Sequence, residues 1–153
     1  MTSTKPEARR GARALVLQGL YQRQLSGNAD DAIRLQLLES DDYAAADADY
    51  LAELWRGTTG EYDALLGRIA PHSARAPAEL SPIERAILVI GAWELAHRQD
   101  VPYRVVIDEA MELAKSYGGI DGHRYVNGVL DKLAAELRGA EIAARAAESG
   151  APR

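Results

Sequence analysis

Apolar side chains recur along this chain at helical spacing, and no segment sustains the two-residue alternation of a half-buried strand, so the pattern predicts an all-helical domain. Leu17, Leu20, Tyr21 and Leu25 mark a first helix over about residues 12–25, which Ser26-Gly27-Asn28 stops. A short helix is expected around residues 32–38, followed by an acidic connection over 39–49 with little to bury. Tyr50, Leu51, Leu54, Trp55, Thr58, Tyr62, Leu65, Leu66 and Ile69 then keep one stripe as far as Pro71. Gly57 and Gly60 interrupt that stripe and either kink the helix or divide it in two.

Ser81-Pro82-Ile83-Glu84 has the form of a helix start, with Ser81 as N-cap, Pro82 at the first helical position and Glu84 completing a capping box. The run that follows, residues 86–93, is apolar on all sides, as a helix enclosed by neighbours must be. Val106, Ala110, Leu113, Ala114 and Tyr117 form the next stripe; Gly118-Gly119 ends it, and Asp121 is placed to cap a last helix that buries Val126, Val129, Leu130 and Leu133. Past Gly139 the alanine-rich end has few large apolar groups to dock and is expected to fray. The predicted organisation is a flexible tail over 1–8, one helical domain over 9–138 and a flexible tail over 139–153.

Length fits this picture: 153 residues suffice for one domain with its own core and are too few for two ordinary ones. The absence of cysteine excludes disulfides, thiolate metal sites and cysteine nucleophiles. No apolar run approaches the roughly 20 residues that span a bilayer, and the first residues lack a secretory apolar segment, so a cytoplasmic protein is the simplest expectation.

Charge alters the picture more than composition does. The net charge is −5, but residues 5–13 hold Lys5, Arg9, Arg10 and Arg13 against Glu7, whereas residues 30–63 hold ten acidic side chains against Arg34 and Arg56. A chain so divided can hold a polyanion at one pole; equally, its basic end can be a solvated tail. At 100° per residue Arg10 and Arg13 fall within roughly 40° of Leu17, on the face that enters the core further along, so both should overhang the end of the bundle. Such a segment orders on a phosphate backbone. Tyr103, Arg104, Tyr117, His123, Arg124 and Tyr125 fall at helix ends, where rings and guanidinium groups can stack on unpaired bases.

Catalytic and metal chemistry finds little support. His72, His97 and His123 are not spaced as ligands, and Glu94 with His97 makes one Glu-x-x-His without the second copy that a di-iron bundle requires. Glu109 and Glu112 fit the charged side of a helix better than an acid–base pair, and Glu94 is expected to face the core bonded to its neighbours. Gly118-Gly119 follows a helix, where a phosphate loop would precede one. No cofactor is implied.

Three segments, RRGARALVLQGLYQRQLSGN, SPIERAILVIGAWEL and DVPYRVVIDEAMELAKSYGGIDGHRYVNGVLDKL, occur in this order, and together they resemble the NusB family of transcription antitermination factors over about residues 9–137. The resemblance implies a fold of about seven helices in two small packed bundles and no enzymatic activity. It also implies binding to the boxA element of nascent ribosomal RNA as a heterodimer with NusE, a small-subunit ribosomal protein, within RNA polymerase antitermination complexes.

Residue by residue, the resemblance places Arg9, Arg10 and Arg13 in an arginine-rich RNA-binding segment, Tyr21, Tyr117 and Tyr125 beside the RNA path, and Asp121 in an RNA-linked loop. Glu84, Arg85, Tyr103 and Arg104 match positions on the ribosomal-protein side. Gly11 interrupts the basic run and lowers helix propensity there by about 1 kcal/mol relative to alanine. For Tyr21, packing and base contact both stay open, as does self-association of the free protein. The alternative reading is a protein-interaction domain whose RNA contact is incidental.

Overall fold

A computed structural model describes residues 5–119 and 122–149, and among these residues every regular element is helical. The order is α1 (Lys5–Ser26), α2 (Asp30–Leu38), α3 (Ala48–Gly60), α4 (Tyr62–Ile69), α5 (Pro82–His97), α6 (Tyr103–Tyr117), α7 (Gly122–Leu137) and α8 (Gly139–Glu148). Short 3-10 turns occupy Tyr43–Ala45, Ala70–His72 and Pro77–Glu79. Helix α1 packs on α2, α3 and α5; α5 packs in turn on α4, α6 and α7. The two groups share one core, in which Leu15, Leu17, Leu20, Ile87, Leu88 and Leu95 are fully buried. Each such side chain contributes about 1.5–3 kcal/mol relative to leaving it in water.

Local chemistry explains most boundaries. Gly27 ends α1 at φ 70° and Gly119 follows α6 at φ 93°, a region that a Cβ disfavours. Asp47 caps α3 by accepting from the Tyr50 N–H at 3.0 Å. Ser81 caps α5 by accepting from the Glu84 N–H at 3.1 Å, but the Glu84 carboxylate does not complete a capping box; it turns to Arg75 at 3.4 Å. The long stripe does divide in two, at Glu61 between α3 and α4. Gly57 lies inside α3 and serves a different purpose: a Cβ there would stand 2.1 Å from Trp93 Nε1, so the glycine makes room for the indole.

Two expectations at the ends change. The first helix begins at Lys5, so residues 5–8 of the expected N-terminal tail belong to α1. The alanine-rich end forms α8, with Ile142 packed against the core, where fraying was expected. Arg138, 2% exposed, anchors this junction. Its guanidinium donates to the carbonyls of Leu95 (2.8 Å), Glu94 (3.1 Å), Arg98 (2.8 Å) and Val101 (3.1 Å), which satisfies the C-terminal end of α5. Glu141 in α8 accepts from Arg138 at 2.5 Å and from the Tyr103 N–H at 2.8 Å. Burial alone would raise the Glu141 carboxyl, but these two donors hold it below its usual range. Helix propensity alone would not dock α8; a buried arginine and its carboxylate partner do.

Candidate nucleic-acid interface

The N-terminal arginines of α1 separate sharply. Arg13 is 3% exposed and donates two-pronged bonds to Glu94 on α5, Nε to Oε1 at 2.9 Å and Nη2 to Oε2 at 2.8 Å. The Tyr50 hydroxyl donates to the same carboxylate, and Arg13 also lies 5.4 Å from the Tyr50 ring centroid. Burial opposes the Arg13 charge, yet Glu94 more than compensates and keeps its pKa above the ordinary value. Burial pushes the Tyr50 hydroxyl up, and the adjacent Glu94 charge pushes it further. The expectation that Arg13 overhangs the bundle is therefore corrected: α5 extends far enough to meet it with a carboxylate.

Arg9 also turns inward, its guanidinium 4.6 Å over the Tyr50 ring, 4.0 Å from Asp47 and 3.9 Å from Asp100. Arg98 lies over the same ring at 4.7 Å and grips Asp100 at 2.9 Å, which with smaller help from Arg9 draws the Asp100 carboxyl down to about 2.

Arg10 alone of the three turns to solvent. Its side chain is 61% exposed, and Nε and Nη2 each donate at 2.9 Å to Glu109 on α6. Beside it a groove of about 300 Å³ between α1 and α6 is lined by Arg10, Arg13 and Ala14 of α1 and by Glu109, Glu112, Leu113, Ser116 and Tyr117 of α6. Tyr117, 46% exposed, also borders Gly11, Ala14 and Gln18 of α1. Tyr21 follows on α1, exposed at its surface edge. One turn on, Gln24 accepts from Arg85 Nη1 at 2.5 Å and donates to the Pro82 carbonyl at 2.9 Å. Arg10, Tyr117, Tyr21 and Gln24 thus make a strip along α1 that ends at the start of α5.

The remaining predicted residues divide by position. Tyr125 on α7 is half-buried against the core; its hydroxyl bonds Ser73, and the Arg75 guanidinium covers its ring at 4.1 Å. Its face is therefore taken by a neighbour and not open to a base. Arg85 spends its donors internally, on the carbonyls of Pro77 (2.9 Å) and Leu80 (2.9 Å) and on Gln24, while Glu84 is buried beside Arg75. Tyr103 and Arg104 lie at the opposite end of α6 from Tyr117, a separation of about 21 Å at 1.5 Å per residue. There Arg104 sits 5.3 Å from the Tyr103 ring centroid, next to α8. The helix-end cluster expected from the sequence is thus divided: Tyr103 and Arg104 stand at one end of α6, Tyr117 lies against α1 at the other, and Tyr125 lies under Arg75. Asp121 lies outside the described residues.

Sequence reasoning passed over Arg75, Arg138 and the pairing of Arg10 with Glu109. Long-range pairs leave no trace in helical periodicity, and Arg75 sits in a connection without a repeat. Among the described residues no group of three side chains is arranged to hold a metal ion, and no helix is long and apolar enough to cross a membrane.

Among the described residues, a body built wholly of helices, with an outward guanidinium on α1 and exposed tyrosines from α1 and α6 beside it, defines a class: a small helical protein with one surface strip of cation and phenol rings. The comparisons are more particular. A family model, the NusB family, matches residues 10–135. A transcription antitermination protein NusB from Azoarcus sp. is 52% identical over 145 residues, 94% of each chain, and one from Alcanivorax borkumensis is 51% identical over 140 residues, 92% of this chain and 93% of that one. Both relatives are named for antitermination and not for a reaction. A solved NusB from T. maritima superposes with a TM-score of 0.76 at 27% identity, over 89% of this chain and 94% of that one. A solved complex of antitermination factors NusB and NusE with double-stranded RNA has the same fold, with a TM-score of 0.74 at 23% identity. This chain belongs to the NusB family.

Proposed function

We propose that this protein is a non-enzymatic transcription antitermination factor of the cytoplasm that binds a boxA-like strand of nascent ribosomal RNA as a heterodimer with the ribosomal protein NusE, and so joins RNA polymerase. The observation that carries this reading is 52% identity, over 94% of both chains, to a relative named for antitermination. The solved neighbour that holds NusB, NusE and double-stranded RNA together supports NusE as the partner and RNA as the class of ligand. The strip from Arg10 through Tyr117 and Tyr21 supplies what such a ligand needs, a cation for phosphate and phenol rings for bases. Arg10 and the two tyrosines are its contacts in this reading, Asp121 is carried as a contact from the family resemblance alone, and Arg9 and Arg13 support α1 from within. Tyr103, Arg104 and the neighbouring α8 form the face offered to a protein.

Titration of a boxA-like RNA, a scrambled strand and a duplex control against the protein, alone and with NusE, tests the reading while mass in solution is followed. Selective binding of the boxA-like strand, tighter with NusE, is expected. Equal affinity for all three RNAs, with NusE bound normally, would favour a protein-interaction domain instead.

A further inference from the structure

Arg75, in the connection between α4 and α5, is held as surface arginines seldom are. One face of its guanidinium lies on the Tyr125 ring at 4.1 Å, and Nη2 stands 3.4 Å from the buried Glu84 carboxylate. Its backbone is fixed as well. Ser73 Oγ donates to the Arg75 carbonyl at 2.6 Å and accepts from the Arg75 N–H at 3.2 Å. A hydroxyl carries one proton, so with that proton on the Arg75 carbonyl the Tyr125 hydroxyl donates to Ser73. Ring, hydroxyl and turn form one closed unit, at whose surface the Arg75 side chain remains 44% exposed.

This arrangement removes Tyr125 as a base platform and puts another planar group in front of it. Guanidinium planes stack on bases as aromatic rings do, and a side chain already immobilised loses little rotamer entropy when a ligand arrives. The unit also lies where the strip along α1 ends. Arg85, next to Glu84 in the chain, bonds Gln24 of α1, and a Cβ at Gly122 at the start of α7 would stand 3.7 Å from the Glu84 carboxylate.

We propose that Arg75 is a base-stacking residue of the RNA site, with Tyr125 as the support beneath it, so that the bound base, the guanidinium and the phenol ring form a three-layer column. The proposal rests on the RNA-binding reading above. Charge alone would make Arg75 a phosphate contact; the ring at its back and the Glu84 carboxylate at its edge hold it in place as a stacking surface.

The test compares wild type, Arg75→Ala, Arg75→Lys and Tyr125→Leu in complex with NusE, using boxA-like RNA carrying 2-aminopurine at successive positions. Stacking predicts that Arg75→Ala and Arg75→Lys weaken binding alike, by roughly 5- to 150-fold. For Arg75→Lys the salt dependence stays that of wild type, since no phosphate contact is lost. One 2-aminopurine position should be quenched in wild type and not in either Arg75 variant, and Tyr125→Leu should lose part of the same quenching. Arg75→Lys binding like wild type, or a salt slope reduced by about 0.7 in Arg75→Ala with no position-specific quenching, would overturn stacking. Circular dichroism confirms that each variant is folded. Wild type that fails to bind any RNA would instead sink the functional reading itself, so the two failures are told apart.

Discussion

Arg10 and Arg13 lie on the same helix, one turn apart, and each makes a two-pronged bond to a glutamate of another helix, yet they do opposite work. Arg13 and Glu94 are 3% and 1% exposed and share their site with the Tyr50 hydroxyl. Arg10 meets Glu109 at the surface, its own side chain 61% exposed and the carboxylate 13%, and Glu109 also stands 3.6 Å from Arg13. In the interior a charge pair is costly to break, because the surviving partner is left charged and dry; at the surface water replaces the partner for almost nothing. Charge density along the sequence treats the two arginines as equivalent. Their surroundings make one a structural pin and give the other, in the proposed reading, the role of a ligand contact.

The largest effect should come from breaking the inner pair. Glu94→Ala strands the Arg13 guanidinium and the Tyr50 hydroxyl, and the expected loss is about 3–5 kcal/mol of folding stability, measured by urea denaturation. Replacing the whole cluster, Arg13→Met with Tyr50→Phe and Glu94→Leu, should recover most of that loss, since no buried polar group is then left without a partner. A cost under about 1 kcal/mol for Glu94→Ala would mean that Arg13 swings out to water freely, and the contrast with Arg10 would disappear.

A second, smaller effect follows from Tyr50. Burial and the Glu94 charge raise the pKa of its hydroxyl, so the stability it contributes is fully present below the unfolded value near 10 and is lost as pH rises above it. Each such tyrosine adds up to about 1.4 kcal/mol per pH unit to the alkaline fall. Thermal unfolding between pH 9 and 11 should show this fall in wild type. Tyr50→Phe should remove its share and leave that of Tyr62, whose hydroxyl burial also raises. An alkaline limb unchanged by Tyr50→Phe would place Tyr50 in water and loosen the inner cluster. Nothing comparable surrounds Arg10.

Helical periodicity fixes much of this architecture in advance and little of its polar wiring. Leu17, Val106 and Leu133 fall on their stripes, and all three are buried. Ser81 and Gly119 end or start helices because each local rule acts within a few residues. Arg13 was misplaced because its partner, Glu94, stands 81 residues away, and no spacing within α1 encodes what α5 brings to meet it. Helix α8 was missed for a related reason: its docking depends on Arg138 reaching four carbonyls around the end of α5, a contact that an alanine-rich composition does not announce. Tyr125 shows the same limit at the surface. Its ring falls near the strip, but Arg75, from a connection without periodicity, takes its face.

The smallest effect on stability is the sharpest on function. Arg10→Ala removes an exposed cation and leaves Glu109 with Arg13 3.6 Å away, so folding stability should change by no more than about 1 kcal/mol. If Arg10 meets a phosphate, the salt dependence of RNA binding should flatten by about 0.7 log units per decade, the share of one contact on a single strand. Adding Arg9→Ala and Arg13→Ala should then cost stability while leaving the slope where Arg10→Ala put it, because those guanidinium groups are bound to Asp47, Asp100 and Glu94. Three arginines that all reached phosphate would flatten it by about 2 instead, from 0.7 for each. A slope measured on the single and triple variants therefore counts the arginines that face the ligand, and a value near 2 for the triple variant would put Arg13 back among the contacts.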